Sequence, residues 1–303
     1  MLVKINNPLK TLKCLKAFYL KNGVSIIEKK ESSSEKEIEK LFSSGLPILY
    51  KGKKYLNSKE EASKFIIDYL GADTLINVRY GNFSDPSEYA FNRQEKKIQL
   101  KEYLDDYFNK KADKTHYFGN YSLNNDIITK MNIQKPQVYN EKDISAGRLW
   151  VGEKGCITPL HCDGGDNFVY QLFGEKKWTL IPPSDYQSIY LNSMAGIPEE
   201  DFWCSSVDLS NIDYKKYKKV NKITPFEVVL KAGDSLYLPY GWFHYVETIE
   251  DSVMINFWVA NKKLTPAIAS RFQTYSLWGY TYIPFSFGKL FNKIMGTNFR
   301  TKK

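Results

Sequence analysis

From about Leu149 to Val259 the chain is a succession of short runs rich in β-branched and aromatic residues, each cut off by glycine or proline. This texture constrains the fold more than any other feature of the 303 residues. Runs of this length with turn residues between them predict the strands of a β-barrel or sandwich. Arg148–Val151 is one strand and Ile157–Asp163 another. Asn167–Phe173 and Lys176–Ile181 flank Gly174-Glu175 and predict a hairpin, which Pro182-Pro183 stops. Phe226–Leu230, Ser235–Pro239, Phe243–Thr248 and Ser252–Val259 complete the set, and residues 184–222 form a long irregular insertion.

The flanks have a different texture, so the chain divides into three parts. Residues 1–140 predict α/β elements packing on the barrel, 141–262 the β core, and 263–303 a basic, aromatic helical extension. In the first part, Leu12, Leu15, Phe18, Tyr19 and Leu20 suit a short amphipathic helix. Ser34-Glu-Lys-Glu37 has capping-box spacing before Ile38, Leu41 and Phe42, with Gly45 as the stop and Pro47–Tyr50 as a strand. A second box, Ser58-Lys-Glu-Glu61, opens a helix whose apolar positions Ala62, Phe65, Ile66, Tyr69 and Leu70 share one face up to Gly71. Thr74–Tyr80 predicts a strand, and Leu100, Tyr103, Leu104, Tyr107 and Phe108 repeat the helical period. Beyond the core, Thr265-Pro266 supplies an N-cap with proline at the first helical position.

Composition narrows the class. With 43% hydrophobic residues, a chain of this length can bury a full core as one large domain with extensions. The four cysteines are scattered, with no C-x-x-C pair, which fits a reducing, cytoplasmic setting. No charged-then-apolar leader opens the chain, and no uncharged apolar run approaches the roughly 18 residues that span a bilayer. Residues 252–303 hold eight basic and no acidic side chains, so nearly all of the net charge of +9 belongs to the C-terminal end. The apolar surface interleaved with that charge must pack on something. Self-association through C-terminal helices is the first expectation, with a membrane surface or nucleic acid behind it.

Two segments carry chemistry. Side chains two residues apart on an extended strand point to the same face, so His161 and Asp163 in Thr158-Pro-Leu-His-Cys-Asp163 present an imidazole and a carboxylate together. His244, in Pro239-Tyr-Gly-Trp-Phe-His244, follows a strand and a turn and would arrive on a neighbouring strand. Two histidines and one carboxylate on one face of an ion, with the remaining positions open, are the arrangement of non-heme Fe(II) oxygenases. Of the three histidines only His116 is left over; it has no carboxylate at strand spacing and is expected to be a packing or surface residue. A lysine on a strand beside such a site would be an unpaired buried charge unless an anion met it.

These residues resemble the cupin-type Jumonji-C oxygenases, double-stranded β-helix (jelly-roll) enzymes dependent on Fe(II) and 2-oxoglutarate, and most of all the branch containing the asparaginyl hydroxylase of hypoxia-inducible factor. The similarity runs from about Lys40 to Ala260 and is most specific in Thr158–Pro183 and Gly233–Trp258. It implies that His161, Asp163 and His244 bind iron, and that Thr158 and Lys176 hold the distal carboxylate of 2-oxoglutarate. Lys177, alternating to the other face, is the competing lysine. Asn167 and Asn256 match asparagines near the cosubstrate, Trp258 an aromatic wall of its pocket, and Tyr117 a tyrosine on the distal carboxylate. Cys162, between two of the ligands, departs from the commoner pattern and should point away from the metal. The implied reaction consumes O2 and 2-oxoglutarate and hydroxylates a protein or peptide side chain, N-methyl-lysine demethylation being chemically the same step. Other readings of the same residues are a hydroxylase of tRNA or another nucleic acid, a metal-binding cupin that does not use 2-oxoglutarate, and a non-catalytic binding module that keeps the fold.

Overall fold

The computed structural model describes residues 16–28, 44–52, 54–81, 94–108, 116–133, 140–163, 165–190 and 204–259. Thirteen strands among them form two sheets. They are β1 (Ser25–Glu28), β2 (Ile48–Lys51), β3 (Leu75–Tyr80), β4 (Gln94–Gln99), β5 (His116–Leu123), β6 (Gly147–Gly152), β7 (Ile157–His161), β8 (Asp166–Phe173), β9 (Lys176–Ile181), β10 (Phe226–Leu230), β11 (Ser235–Leu238), β12 (Phe243–Thr248) and β13 (Ser252–Val259). The larger sheet runs β1-β2-β11-β8-β13-β6-β5-β3-β4, and the smaller β10-β9-β12-β7. All the pairings are antiparallel except β1 with β2. From β7 onward successive strands alternate between the sheets, except β9 and β10, which pair within the smaller one, and this makes the fold a jelly roll.

That alternation overturns one expectation. β8 and β9 do not pair as a hairpin: β8 lies between β11 and β13, whereas β9 lies between β10 and β12 in the other sheet. The Gly174-Glu175 link therefore crosses between the sheets. Gly174 adopts φ +68°, and a Cβ there would run into the Asp251 carbonyl, so the crossing needs glycine on two counts.

Three apolar clusters follow from strand alternation. Between the sheets, Val169, Leu236, Leu238 and Met254 meet Trp178, Leu180 and Val246. On the outer face of the large sheet, Leu149, Val151, Ile255 and Phe257 pack with Ala62, Ile66, Leu104 and Phe108. Behind the small sheet lie Leu160, Cys162, Ile181, Phe243 and Tyr245. The helix Lys59–Leu70 starts at the expected Ser58 N-cap, whose side chain accepts from the Glu61 amide, while the Glu61 carboxylate reaches one residue further back than a capping box does, to the Asn57 amide at 2.8 Å. The helical period at Leu100 yields one α-turn, Leu100–Tyr103, continued as a π-helical turn over Leu104–Phe108.

The described N-terminal strands are built into the large sheet on both sides of the barrel strands, since β2 pairs with β11 and β5 with β6. β4 was not expected, because its sequence is polar apart from Ile98 and it sits at a sheet edge. Only residues 16–22 of the expected first helix are described, with Tyr19 buried and Phe18 and Leu20 exposed. The helix expected after Ser34 and everything beyond Ala260 lie outside the described residues. Within them, no helix is long and apolar enough to cross a membrane.

Candidate metal centre and its pocket

The first strand of the small sheet ends at His161, so Cys162 and Asp163 lie in the turn beyond it. This corrects the expectation that Asp163 shares the strand face. The turn nevertheless brings the carboxylate round. His161 and His244 are direct cross-strand partners on β7 and β12, and one ligand atom from each of His161, Asp163 and His244 lies within 4.8 Å of the others. Nε2 of His161 is 3.8 Å from one Asp163 oxygen, and Nε2 of His244 is 3.4 Å from the other. The imidazole centroids are 4.1 Å apart.

The second nitrogen of each ring fixes its orientation. Nδ1 of His161 lies 2.8 Å from the Pro159 carbonyl, and Nδ1 of His244 lies 3.4 Å from that of Trp242. A carbonyl only accepts, so each Nδ1 carries the proton and each Nε2 presents a lone pair inward. Burial, reinforced by the neighbouring His161, pushes the His244 pKa down to about 3, which keeps that ring neutral. Trp178 stacks against it at 5.4 Å and 26°. Two lone pairs and a carboxylate converging on one point are a donor set that fits a divalent transition-metal ion.

The carboxylate is held by a relay of amides. Asn167 Nδ2 donates to Asp163 at 2.8 Å, Asn256 Nδ2 donates to Asn167 Oδ1 at 2.9 Å, and Trp150 Nε1 donates to Asn256 Oδ1 at 2.7 Å. Each donor direction dictates the next, so the relay has one polarity. Trp150 was not singled out from the sequence. Strand parity puts it on one face with Arg148, opposite Leu149 and Val151, and only the packing of the latter two on the outer face shows that Trp150 faces the interior. Gly119 makes room for it: a Cβ there would lie 2.5 Å from the Trp150 ring.

At the other end of the interior, Lys176 is 1% exposed. Its ammonium donates to the Tyr117 hydroxyl at 3.1 Å and to Thr248 Oγ1 at 3.0 Å, and lies 5.0 Å from the Tyr117 ring centroid. It meets no carboxylate among the described residues. Burial lowers its pKa to about 8. The Tyr117 phenol is pushed up, chiefly by burial, with a bond from the Thr158 hydroxyl pulling the other way. Tyr117, Thr158 and Lys176 thus share one polar pocket, to which the structure adds Thr248. Lys177 is excluded from it: it faces outward and pairs with Glu247 at 2.6 Å.

A β-bulge lets Thr158 join His161 on the inside. Three residues apart on a regular strand, they would face opposite ways. Opposite β12, however, His161 pairs with His244 and Thr158 with Val246, so three residues of β7 span two of β12. The extra residue falls at Pro159-Leu160, and proline, lacking an N–H, suits a position where the ladder is broken. Cys162 is buried behind the small sheet with Leu160 and Ile181, away from the ligand cluster. His116 is a packing residue, 7% exposed and stacked on Tyr80. Trp258, the cross-strand partner of Asn167, lies under the Arg148 guanidinium with 5.8 Å to the ring centroid.

With this geometry established, comparison with known proteins is informative. A cupin-like domain family model matches residues 12–263. HSPB1-associated protein 1 of Homo sapiens is 39% identical over 114 residues, which is 37% of this chain and 23% of that protein. Jumonji C domain-containing protein 5 of Drosophila melanogaster is 30% identical over 113 residues, covering 37% and 27%. Lysine-specific demethylase JMJ30 of Arabidopsis thaliana is 34% identical over 122 residues, covering 40% and 27%. The chain spans about a quarter of the length of these curated relatives. The family match takes in both sheets, the His–Asp–His cluster and the Lys176 pocket, and on that ground the chain belongs to the cupin-like, Jumonji-C domain family.

Proposed function

We propose that the protein is an Fe(II)- and 2-oxoglutarate-dependent dioxygenase that hydroxylates a protein or peptide side chain. The observation that carries this reading is the pairing, inside one barrel, of a His–Asp–His cluster with a fully buried lysine that lacks an anion. Bound iron and 2-oxoglutarate supply the chemistry, in which O2 and 2-oxoglutarate are consumed, succinate and CO2 are released, and one oxygen atom enters a substrate C–H bond. His161, Asp163 and His244 would hold the metal. The amide relay behind Asp163 fixes which way its oxygens face before metal arrives, so little reorganisation is needed on binding. Lys176, Tyr117, Thr158 and Thr248 form a cationic, hydroxyl-lined end that complements a carboxylate. The apolar walls, Trp178, Leu180 and Val246 among them, exclude water between the two ends.

A protein substrate is favoured because the relatives include one named for association with HSPB1 and one named a lysine-specific demethylase. Demethylation of N-methyl-lysine would use the same residues in the same way. The reading is tested by succinate formation from 2-oxoglutarate, using anaerobically reconstituted Fe(II) protein exposed to O2, with His161→Ala and Lys176→Ala as controls. Turnover lost in both variants is the expected result. A wild-type protein that binds iron yet makes no succinate, even with peptide and RNA pools added, overturns it.

A further inference from the structure

The β6–β13 wall carries two buried hydrogen-bond donors that no described residue satisfies. Nε of Arg148 and Nε1 of Trp258 are both shielded from solvent and have no acceptor among the described residues. They lie side by side, since the guanidinium sits over the indole with 5.8 Å to its centroid. Arg148 pairs across the strands with Asn256, which bonds to Asn167, which in turn bonds to Asp163. The two donors therefore line the same interior wall as the metal cluster. No carboxylate among the described residues comes within ion-pair distance of Arg148. Leaving such donors unmet is costly, and more so when one belongs to a charged group.

We infer that Arg148 and Trp258 form a receptor for a carboxylate on the substrate, so that the side chain presented to the metal comes from an acidic peptide. A guanidinium beside an indole offers a planar fork, which matches the two oxygens of a carboxylate, and the indole N–H adds a third donor. The inference rests on the dioxygenase reading in one respect: 2-oxoglutarate has two carboxylates, one suited to the Lys176 pocket and the other to the metal. That assignment leaves the Arg148 donors for a different molecule. A nucleic acid is the poorer fit, because Arg148 is flanked on this wall by Trp150, Asn256 and Trp258, with no second cation among the described residues there to follow a phosphate backbone.

The test pans a random heptapeptide display library on the full-length chain loaded with Mn(II) and 2-oxoglutarate under nitrogen, comparing wild type with Arg148→Met and Arg148→Lys. Enrichment of Asp and Glu by roughly tenfold on wild type is expected, the scale of one charge-assisted contact. It should be weaker on the lysine variant, which keeps the charge without the fork, and absent on the methionine variant, which keeps only the stem. Equal selection by all three proteins, or none by wild type, overturns the inference. Two further measurements can also overturn it. A tenfold or larger rise in the 2-oxoglutarate Kd of the Mn(II)-loaded methionine variant assigns the donors to the cosubstrate. Arg148-dependent binding of a uridylate oligonucleotide assigns them to nucleic acid. Failure of the parent reading is distinguishable, because it appears as an absence of metal-dependent 2-oxoglutarate binding in wild type, whereas peptide selection at Arg148 is still read on the same protein.

Discussion

The two ends of the barrel interior solve the problem of buried polarity in opposite ways. In the metal cluster itself the one carboxylate has an internal answer: Asp163 faces two imidazoles and accepts from Asn167, and the relay continues to Trp150. At the far end the Lys176 ammonium finds, among the described residues, two hydroxyls and a ring face. One end is organised before any ligand arrives, while the other keeps a charge imbalance that a ligand must correct. The difference teaches that preorganisation and ligand demand can be separated within a single cavity, and substitutions at the two ends should therefore have different signatures.

The largest effect is expected at the metal end. Replacing Asp163 by Ala removes the one anionic donor and leaves two imidazoles, so Mn(II) or Fe(II) binding should weaken by at least about a thousandfold, measured by equilibrium dialysis. Fold stability should change much less, because Asp163 lies in a turn beyond β7 rather than in a sheet. A variant that binds metal as wild type does would break the comparison at its root.

Next comes Lys176→Met, where function and stability should move in opposite directions. Affinity of the metal-loaded protein for 2-oxoglutarate should fall by roughly a hundredfold, the loss of a buried charged partner. The ligand-free protein should become more stable by about 1–3 kcal/mol, because a buried ammonium without a counter-ion is exchanged for an apolar chain of similar volume. Thermal melts with and without 2-oxoglutarate check both. Destabilisation of the ligand-free form would show that the two hydroxyls already satisfy the lysine.

A smaller effect tests the relay. Trp150→Phe keeps an aromatic ring over Gly119 and deletes only the bond to Asn256, three links from the metal. Metal affinity should drop by about tenfold, in line with partners that orient ligands rather than bind. An unchanged metal Kd together with a raised 2-oxoglutarate Kd would place the asparagines on the cosubstrate alone, a narrower role than the position near it that the family resemblance implied.

These contrasts also mark where the sequence was readable. The strands from β6 to β13 followed from period and punctuation, and the helix at Lys59 from its capping box, because both signals are local. Sheet membership was not local. Asn167–Phe173 and Lys176–Ile181 look like hairpin arms, and only long-range pairing with β13 and β12 sends them to different sheets. His161, Asp163 and His244 were legible as residue types, yet the geometry uniting them was not, since Asp163 lies off the strand and Thr158 needs a bulge to face inward. Arg148 and Trp150 passed as ordinary strand residues because an isolated strand does not show which face will meet a cavity. β4 went unseen for the converse reason, an edge strand having too little buried surface to leave a pattern.

The smallest predicted effect is one of pH, and its sign follows from the imbalance at Lys176. Burial lowers this lysine to about pKa 8, against an ordinary value of 10.5, so between those limits the unfolded chain binds more protons than the folded one. Stability of the ligand-free protein should therefore rise as pH climbs from about 8 towards 10.5, by at most about 1.4 kcal/mol per unit, and the rise should be missing in Lys176→Met. A bound carboxylate favours the ammonium, so 2-oxoglutarate affinity should run the other way. It should fall a few-fold as pH passes from about 8 to 9, with binding there accompanied by proton uptake. Calorimetry in two buffers of different ionisation enthalpy detects that proton. His244 has already lost its proton far below this range and contributes nothing to it. A pH-independent affinity across this window would mean that the Lys176 pocket does not receive the anion, and the contrast between the two ends would have to be redrawn around Arg148.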